Sequence, residues 1–330
     1  MSFDNLENAG TRKANLAVLI FFTFLALMVT YFLPFVGFVS LAMLPVPCIL
    51  LLLSGRKRDA IICAVAGVIL LSLLNYVFAA ITLIAIIAIS FDYKYFFNKG
   101  RKTLIVVFSI FIIFISAAIL YILIESLAVG SNPISEVSKA YKAYNGYINN
   151  LPNDPIVKTY QGLFSVEAGQ FSTILKQTQS FLRFFPKLLP GIFCVFFGAA
   201  SLINYIASTS ILGRYDIKLN VLPKFKEWDI SWYWCWGIIL GIILIIIPQM
   251  NSRYDVLIDV TGYNLIIIFG SLYSVLGAST LWGIFERFNL TALRRYFILF
   301  IIILIPGFIL FLPVIGLVDI WANLRKLNRG

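Results

Sequence analysis

The sequence predicts an all-α protein threaded repeatedly through a lipid bilayer, and three observations predict it. Of the 330 residues, 61% are hydrophobic and only 12% charged, with a mean hydropathy of +0.94. Soluble domains run at roughly 45–50% apolar and 25% charged. The apolar residues fall in runs of spanning length, at 14–33, 38–54, 60–91, 103–128, 188–212, 232–250, 257–285 and 296–323. The lysines and arginines sit between those runs, as expected if basic loops stay in the cytoplasm. The expected architecture is a polytopic integral membrane helical bundle of about eight to ten spanning or re-entrant helices, each span using about 20 apolar residues. It carries an extracytoplasmic amphipathic helical insertion, so that the chain divides into N-terminal transmembrane helices (1–128), the outer segment (129–187) and C-terminal transmembrane helices (188–330).

Each run can be justified in turn. Residues 1–10 carry Asp4 and Glu7 and no small-residue cleavage pattern, so the first run is expected to remain as a span with a cytoplasmic N-terminus. The first two runs form a hairpin around Pro34 and Gly37, with Arg12 and Lys13 inside. The 60–91 run is too long for one helix, and Arg56–Arg58 and Lys99–Lys102 flank it with positive charge on both sides. Two short helices turning near Asn75 put both flanks in the cytoplasm. The 103–128 helix then leads out, 129–187 stays outside, and 188–212 returns to Arg214, Lys218, Lys224 and Lys226. The next pair runs out and back before Arg287, Arg294 and Arg295. Only seven of the 26 basic residues fall outside, Arg253 and six in the long outer segment. The last run has arginines at both ends, which asks for a hairpin, and Pro306, Gly307, Pro313 and Gly316 permit a re-entrant pair or one kinked span.

The outer segment repeats apolar and aromatic residues at helical spacing, with Ile134, Val137, Tyr141, Tyr144 and Ile148 in its first half. The second half gathers Phe164, Phe171, Ile174, Leu175, Leu182 and Phe185 opposite Lys176, Gln177, Gln179 and Arg183. That pattern suits a helix in the membrane interface or over the mouth of the bundle, with Tyr141, Tyr144, Phe171 and Phe185 as the candidate outer cover. Packing on its own hairpin accounts for it somewhat better than a lid does. Pro186 and Pro190 mark the entrance to the following span.

Chemistry-bearing groups are few. There is no histidine, which removes the usual general base and the commonest metal ligand. The four cysteines stand singly in apolar runs, as small buried hydrophobes do. No phosphate-cradling loop or nucleophile motif is present, so neither an enzyme nor a cofactor is expected. A net charge of +11 would suit nucleic acid if it were gathered in one patch, but the charge is divided among juxtamembrane loops and serves orientation. Polar residues at membrane depth are expected to face a cavity or a partner. The candidates for cavity or interhelical contact are Asn75, Asn204, Asn264 and Asp319. Asn75 can close a turn, the two later asparagines can bond across helices, and Arg325 lies within two turns of Asp319. Glu125, Asp255 and Asp259 are expected at the outer surface, as solvated ends rather than an acidic mouth. Gly237 and Gly241 form a G-x-x-x-G suited to close helix packing.

The outer segment ends at Pro186, and the following span carries Asn204 and leads to Leu212 and Arg214. A loop with Leu222, Pro223, Phe225 and Trp228 comes next, and the chain closes with Pro313, Gly316, Leu317, Asp319, Trp321, Arg325 and Lys326. In these features it resembles the YybS-like family of bacterial polytopic membrane proteins, a group of unknown function, over nearly the whole chain. That family is in turn distantly similar to the substrate-binding membrane subunits of energy-coupling-factor transporters. The resemblance implies a bacterial inner-membrane protein that binds or helps transport a small molecule within its bundle. The alternative is a non-catalytic scaffold holding another membrane protein or a second copy of itself.

Overall fold

The computed structural model describes residues 14–69, 71–99, 102–128, 168–247, 255–305 and 310–327, together with isolated positions between 130 and 150. Among the described residues every regular element is helical. The chain forms two compact units that do not follow chain order. The first takes Met1–Gly146 and Phe196–Leu222, and the second Tyr147–Val195 and Pro223–Gly330. Four helices are long and apolar enough to cross a membrane: Tyr76–Lys99, Thr103–Ala128, Phe184–Gly213 and Leu257–Arg287. Shorter apolar helices accompany them, over Leu16–Phe32, Val39–Leu53, Trp232–Ile246 and Phe311–Ala322.

In the first unit α1 (Leu16–Phe32) starts where the Asn15 side chain accepts from the Ala17 N–H, and it stops two residues before Pro34. A residue preceding proline is pushed out of the α region, and Leu33 sits at φ −122°, ψ 78°. Proline then opens α2 (Pro34–Met43), where its missing N–H costs nothing. A Cβ on Gly37 would meet the Thr30 backbone at 2.9 Å, so glycine is what lets α2 fold back on α1. The hydroxyls of Thr30 and Ser40 meet across that turn at 3.0 Å. Pro45 separates α2 from α3 (Val46–Leu53), whose side chains are all buried. An α4 (Lys57–Ile69) and α5 (Tyr76–Lys99) pair follows, joined through a 3-10 turn at Leu71–Leu73. The Asn75 carboxamide accepts the Phe78 N–H at 2.8 Å, so it caps α5 at the turn between the two. The unit is completed by α6 (Thr103–Ala128) and the C-terminal part of α7 (Ala168–Gly213). Arg56 Nη1 donates to the Ala14 carbonyl at 2.8 Å, which brings the beginning of α1 and the α3–α4 turn to one end. At the opposite end the Tyr31, Phe78 and Tyr121 rings follow one another at 5.8 and 5.7 Å. The core between contains Cys48 and Cys63, which are neighbours rather than isolated thiols.

Residues 168–213 form one continuous helix of 46 residues that passes through Pro186 and Pro190. The sequence reading instead ends one helix at those prolines and begins another. The reason for the difference lies in Asn264. Its Oδ1 accepts from the Gly191 N–H and its Nδ2 donates to the Lys187 carbonyl at 2.8 Å. Lys187 and Gly191 are partners in an uninterrupted helix, and a side chain inserted between them is a standard way to accommodate a distorted turn. The amide therefore stands in for a peptide group where prolines have weakened the ladder. Asn264→Leu is expected to destabilise the protein by about 2 kcal/mol, because two backbone groups lose their partner at membrane depth. Asn264→Ala should cost less, since the open space lets Lys187 and Gly191 bond each other. Detergent-based chemical unfolding of the two variants checks the order.

The second unit contains α8 (Cys235–Ile246), α9 (Asp255–Arg287), α10 (Ala292–Leu304) and α11 (Phe311–Ala322). The last apolar run is a hairpin. Arg295, at the start of α10, pairs with Glu286 at 3.0 Å, and Arg287 donates to the Leu324 carbonyl at 2.7 Å beyond α11. Both ends of the run thus lie beside the C-terminal end of α9. Residues 306–309, between the two helices, lie outside the described residues.

Candidate functional site

A cavity of about 300 Å³ opens within the first unit. Leu41, Leu44 and Pro45 wall it on one side, Phe78, Ile81, Thr82, Ala85 and Ile86 on another, with Phe114, Ala117, Ala118 and Tyr121 from α6 and Phe196 and Phe197 from α7. The helix periods explain the walls. In α5, positions 78, 81, 82, 85 and 86 share one face, and so do 114, 117, 118 and 121 in α6. Ala117 and Ala118 lie midway along the α6 wall, where larger side chains would fill the space. Phe114 and Phe197 stack at 6.2 Å, and Phe196 meets Phe197 edge-on at 5.7 Å. The lining offers hydroxyls at Thr30, Thr82 and Tyr121 and no charged group.

Of the two roles expected for the membrane-depth polar residues, the contacts correspond to the interhelical and ion-pairing one. None of Asn75, Asn204, Asn264 and Asp319 lines this cavity, and they belong to different units. Asn75 caps α5. Asn204 is fully buried, accepts from the Tyr93 hydroxyl at 2.9 Å and donates to the Ala42 carbonyl at 2.7 Å. Ala42 sits in the last turn of α2, where carbonyls run out of helical donors, so Asn204 closes a broken helix end. Asn264 bridges α7 as described above.

Asp319 anchors a buried clasp. Its Oδ2 receives Arg325 Nε and Nη2 at 2.8 and 2.7 Å, and Oδ1 receives the Arg325 N–H at 3.2 Å. Arg325 Nη1 donates to the Trp228 carbonyl at 2.6 Å, the Lys226 carbonyl at 3.1 Å and Ser279 Oγ at 2.7 Å. One guanidinium thereby ties the 223–230 loop to α9 and α11. A second set of charges borders it: Glu286 takes Lys226 at 2.6 Å and Arg295 at 3.0 Å, and Arg295 lies over the Trp282 ring at 4.9 Å.

Gly237 abuts the Phe269 ring, and Gly241 meets Gly262, where an added Cβ would come within 3.0 Å of the Gly262 carbonyl. The G-x-x-x-G therefore packs α8 on α9 within the chain. Of the candidate outer cover, Tyr144 and Phe185 are exposed, while Tyr141 and the side chain of Phe171 lie outside the described residues. Glu125, read as a solvated end, is buried at 9% exposure, and its Oε2 has no hydrogen-bond partner among the described residues. It continues the cavity face of α6, one turn past Tyr121. The spacing 114–118–121–125 is visible in the sequence, but nothing there says that the face is enclosed.

Residues 20–320 match a family model described as "Predicted membrane protein (DUF2232)". The chain belongs to this family. It is a multi-pass membrane protein, as the four long apolar helices and the family both indicate. No curated protein matches it, and no solved structure does. The cavity of about 300 Å³ lies between α2, α5, α6 and α7.

Proposed function

We propose that the chain binds a small, largely apolar molecule in the first unit's cavity, as a non-catalytic ligand-binding or transport-related protein of the bacterial cytoplasmic membrane. The cavity carries this reading: its volume of about 300 Å³ reaches the lower end of the roughly 300–1,000 Å³ range of small-molecule sites. Its wall is built from small and aromatic residues of several helices. The sequence contains no histidine, the usual general base, and this supports a non-catalytic role. The crowding of basic residues at the Arg56 end supports a cytoplasmic N-terminus. Kinship with the YybS-like proteins, and through them with the substrate-binding subunits of energy-coupling-factor transporters, belongs to the same proposal. The scaffold alternative has less to draw on, because the Gly237–Gly241 face is already occupied by α9.

A thermal-shift screen of metabolites and small amphiphiles on the purified protein tests the proposal, since a ligand that favours the folded state raises its stability. A stabilising compound is expected for the wild type, and Ala118→Trp, which fills the cavity from α6, should abolish the shift. A broad screen without a stabiliser, or an unchanged shift in Ala118→Trp, overturns it.

A further inference from the structure

We infer that the cavity selects a cationic amphiphile, with an apolar or aromatic body in the chamber and an ammonium-type head held by Glu125. This gives the ligand class for the binding reading above and rests on it. Three observations converge at the end of the unit where α1 and α6 finish and α5 begins. The first is the register of α6: Phe114, Ala117, Ala118 and Tyr121 line the cavity, and Glu125 follows at four residues from Tyr121 and seven from Ala118, on the same stripe. Glu125 therefore stands one helical turn beyond Tyr121, the last α6 residue of the cavity wall.

The second is the state of the carboxylate. Glu125 is nine-tenths buried, with Oε2 unpartnered, and among the described residues no lysine or arginine pairs with it. A buried carboxylate without a compensating charge is costly, and a bound cation relieves that cost. The third is the aromatic surround. Tyr31, Phe78 and Tyr121 form a chain of rings at 5.8 and 5.7 Å, ending at Tyr121 one turn from Glu125 on α6, and ring faces attract cations, most strongly when water is excluded. A neutral ligand of the same shape would leave Glu125 uncompensated, and an anionic one would be repelled.

The test uses three probes with one apolar body and different heads: 4-phenylbutylamine, 4-phenylbutanol and 4-phenylbutyrate. They are titrated calorimetrically at neutral pH into the full chain in a neutral detergent, with Ala118→Trp giving the background from micelle partitioning. The amine is expected to bind at least about tenfold more tightly than the alcohol, with the carboxylate weakest, as a charge-assisted contact to a buried carboxylate should give. Glu125→Gln should remove the amine's advantage and leave the alcohol's affinity unchanged. The wild-type ranking decides the matter even if that variant does not fold. Equal binding of amine and alcohol above the Ala118→Trp background overturns the cationic preference and leaves the cavity reading standing. No binding of any probe above that background overturns both.

Discussion

Arg325→Met is expected to lower the unfolding free energy by about 3–5 kcal/mol, the range for removing one partner of a buried ion pair. The loss has two sources. Asp319 is left at 0% exposure without its cation, and the carbonyls of Lys226 and Trp228 lose their donor. Replacing both partners, as Asp319→Leu with Arg325→Met, should recover a good part of the loss, because no buried charge then remains. The carbonyls of the 223–230 loop still lack a donor, so recovery should be incomplete. Unfolding in mixed micelles, followed by tryptophan emission, reads the difference, since Trp228 contributes a carbonyl to the clasp and Trp282 stands beside it. A single variant as stable as the wild type would refute the clasp.

The second large effect is expected where α9 and α11 touch. A Cβ on Gly277 would fall within the Leu312 carbonyl, and one on Gly316 within the Tyr273 carbonyl. The two backbones are therefore in direct contact, the close approach that small residues allow between helices in lipid, where packing rather than hydrophobicity drives association. Gly277→Ala should force the helices apart at a cost of about 2–3 kcal/mol. Gly270 lies on the same helix with nothing within 4 Å of an added Cβ. Gly270→Ala should accordingly be neutral, or stabilising by up to about 1 kcal/mol through helix propensity. Equal effects at the two glycines would contradict the packing described here.

Much of the topology was legible from where the charges stand. Basic residues on both sides of the 60–91 run require an even number of passes, and the chain turns at Asn75. Arginines at both ends of the last run call for a return, and the Arg295–Glu286 and Arg287–Leu324 contacts show one. The Asp319–Arg325 pair was also within reach, being only six residues apart. What escaped the sequence depends on partners far along the chain. Nothing near Pro186 and Pro190 announces that a carboxamide 73 residues beyond Gly191 repairs the helix between them. Nor does local sequence separate a polar group that lines a cavity from one that satisfies a neighbour's backbone, and Asn204, Asn264 and Asp319 all do the latter. The cavity is made by what is small, Ala85, Ala117 and Ala118, and small residues leave no signature of the space they create. Glu125 was misplaced for a related reason: its position at the end of a span suggests water, whereas the fold buries it to 9% exposure.

The closing helical pair carries a consequence for the surrounding lipid. With 13 and 12 residues, its arms are about 20 Å long at 1.5 Å per residue, well short of a hydrocarbon layer of about 30 Å. The 33-residue α9, against which α11 packs, is long enough to cross where the pair is not, so lipid beside the pair meets a shorter apolar face than lipid beside α9, and short-tailed phospholipids should gather there at the expense of long-tailed ones.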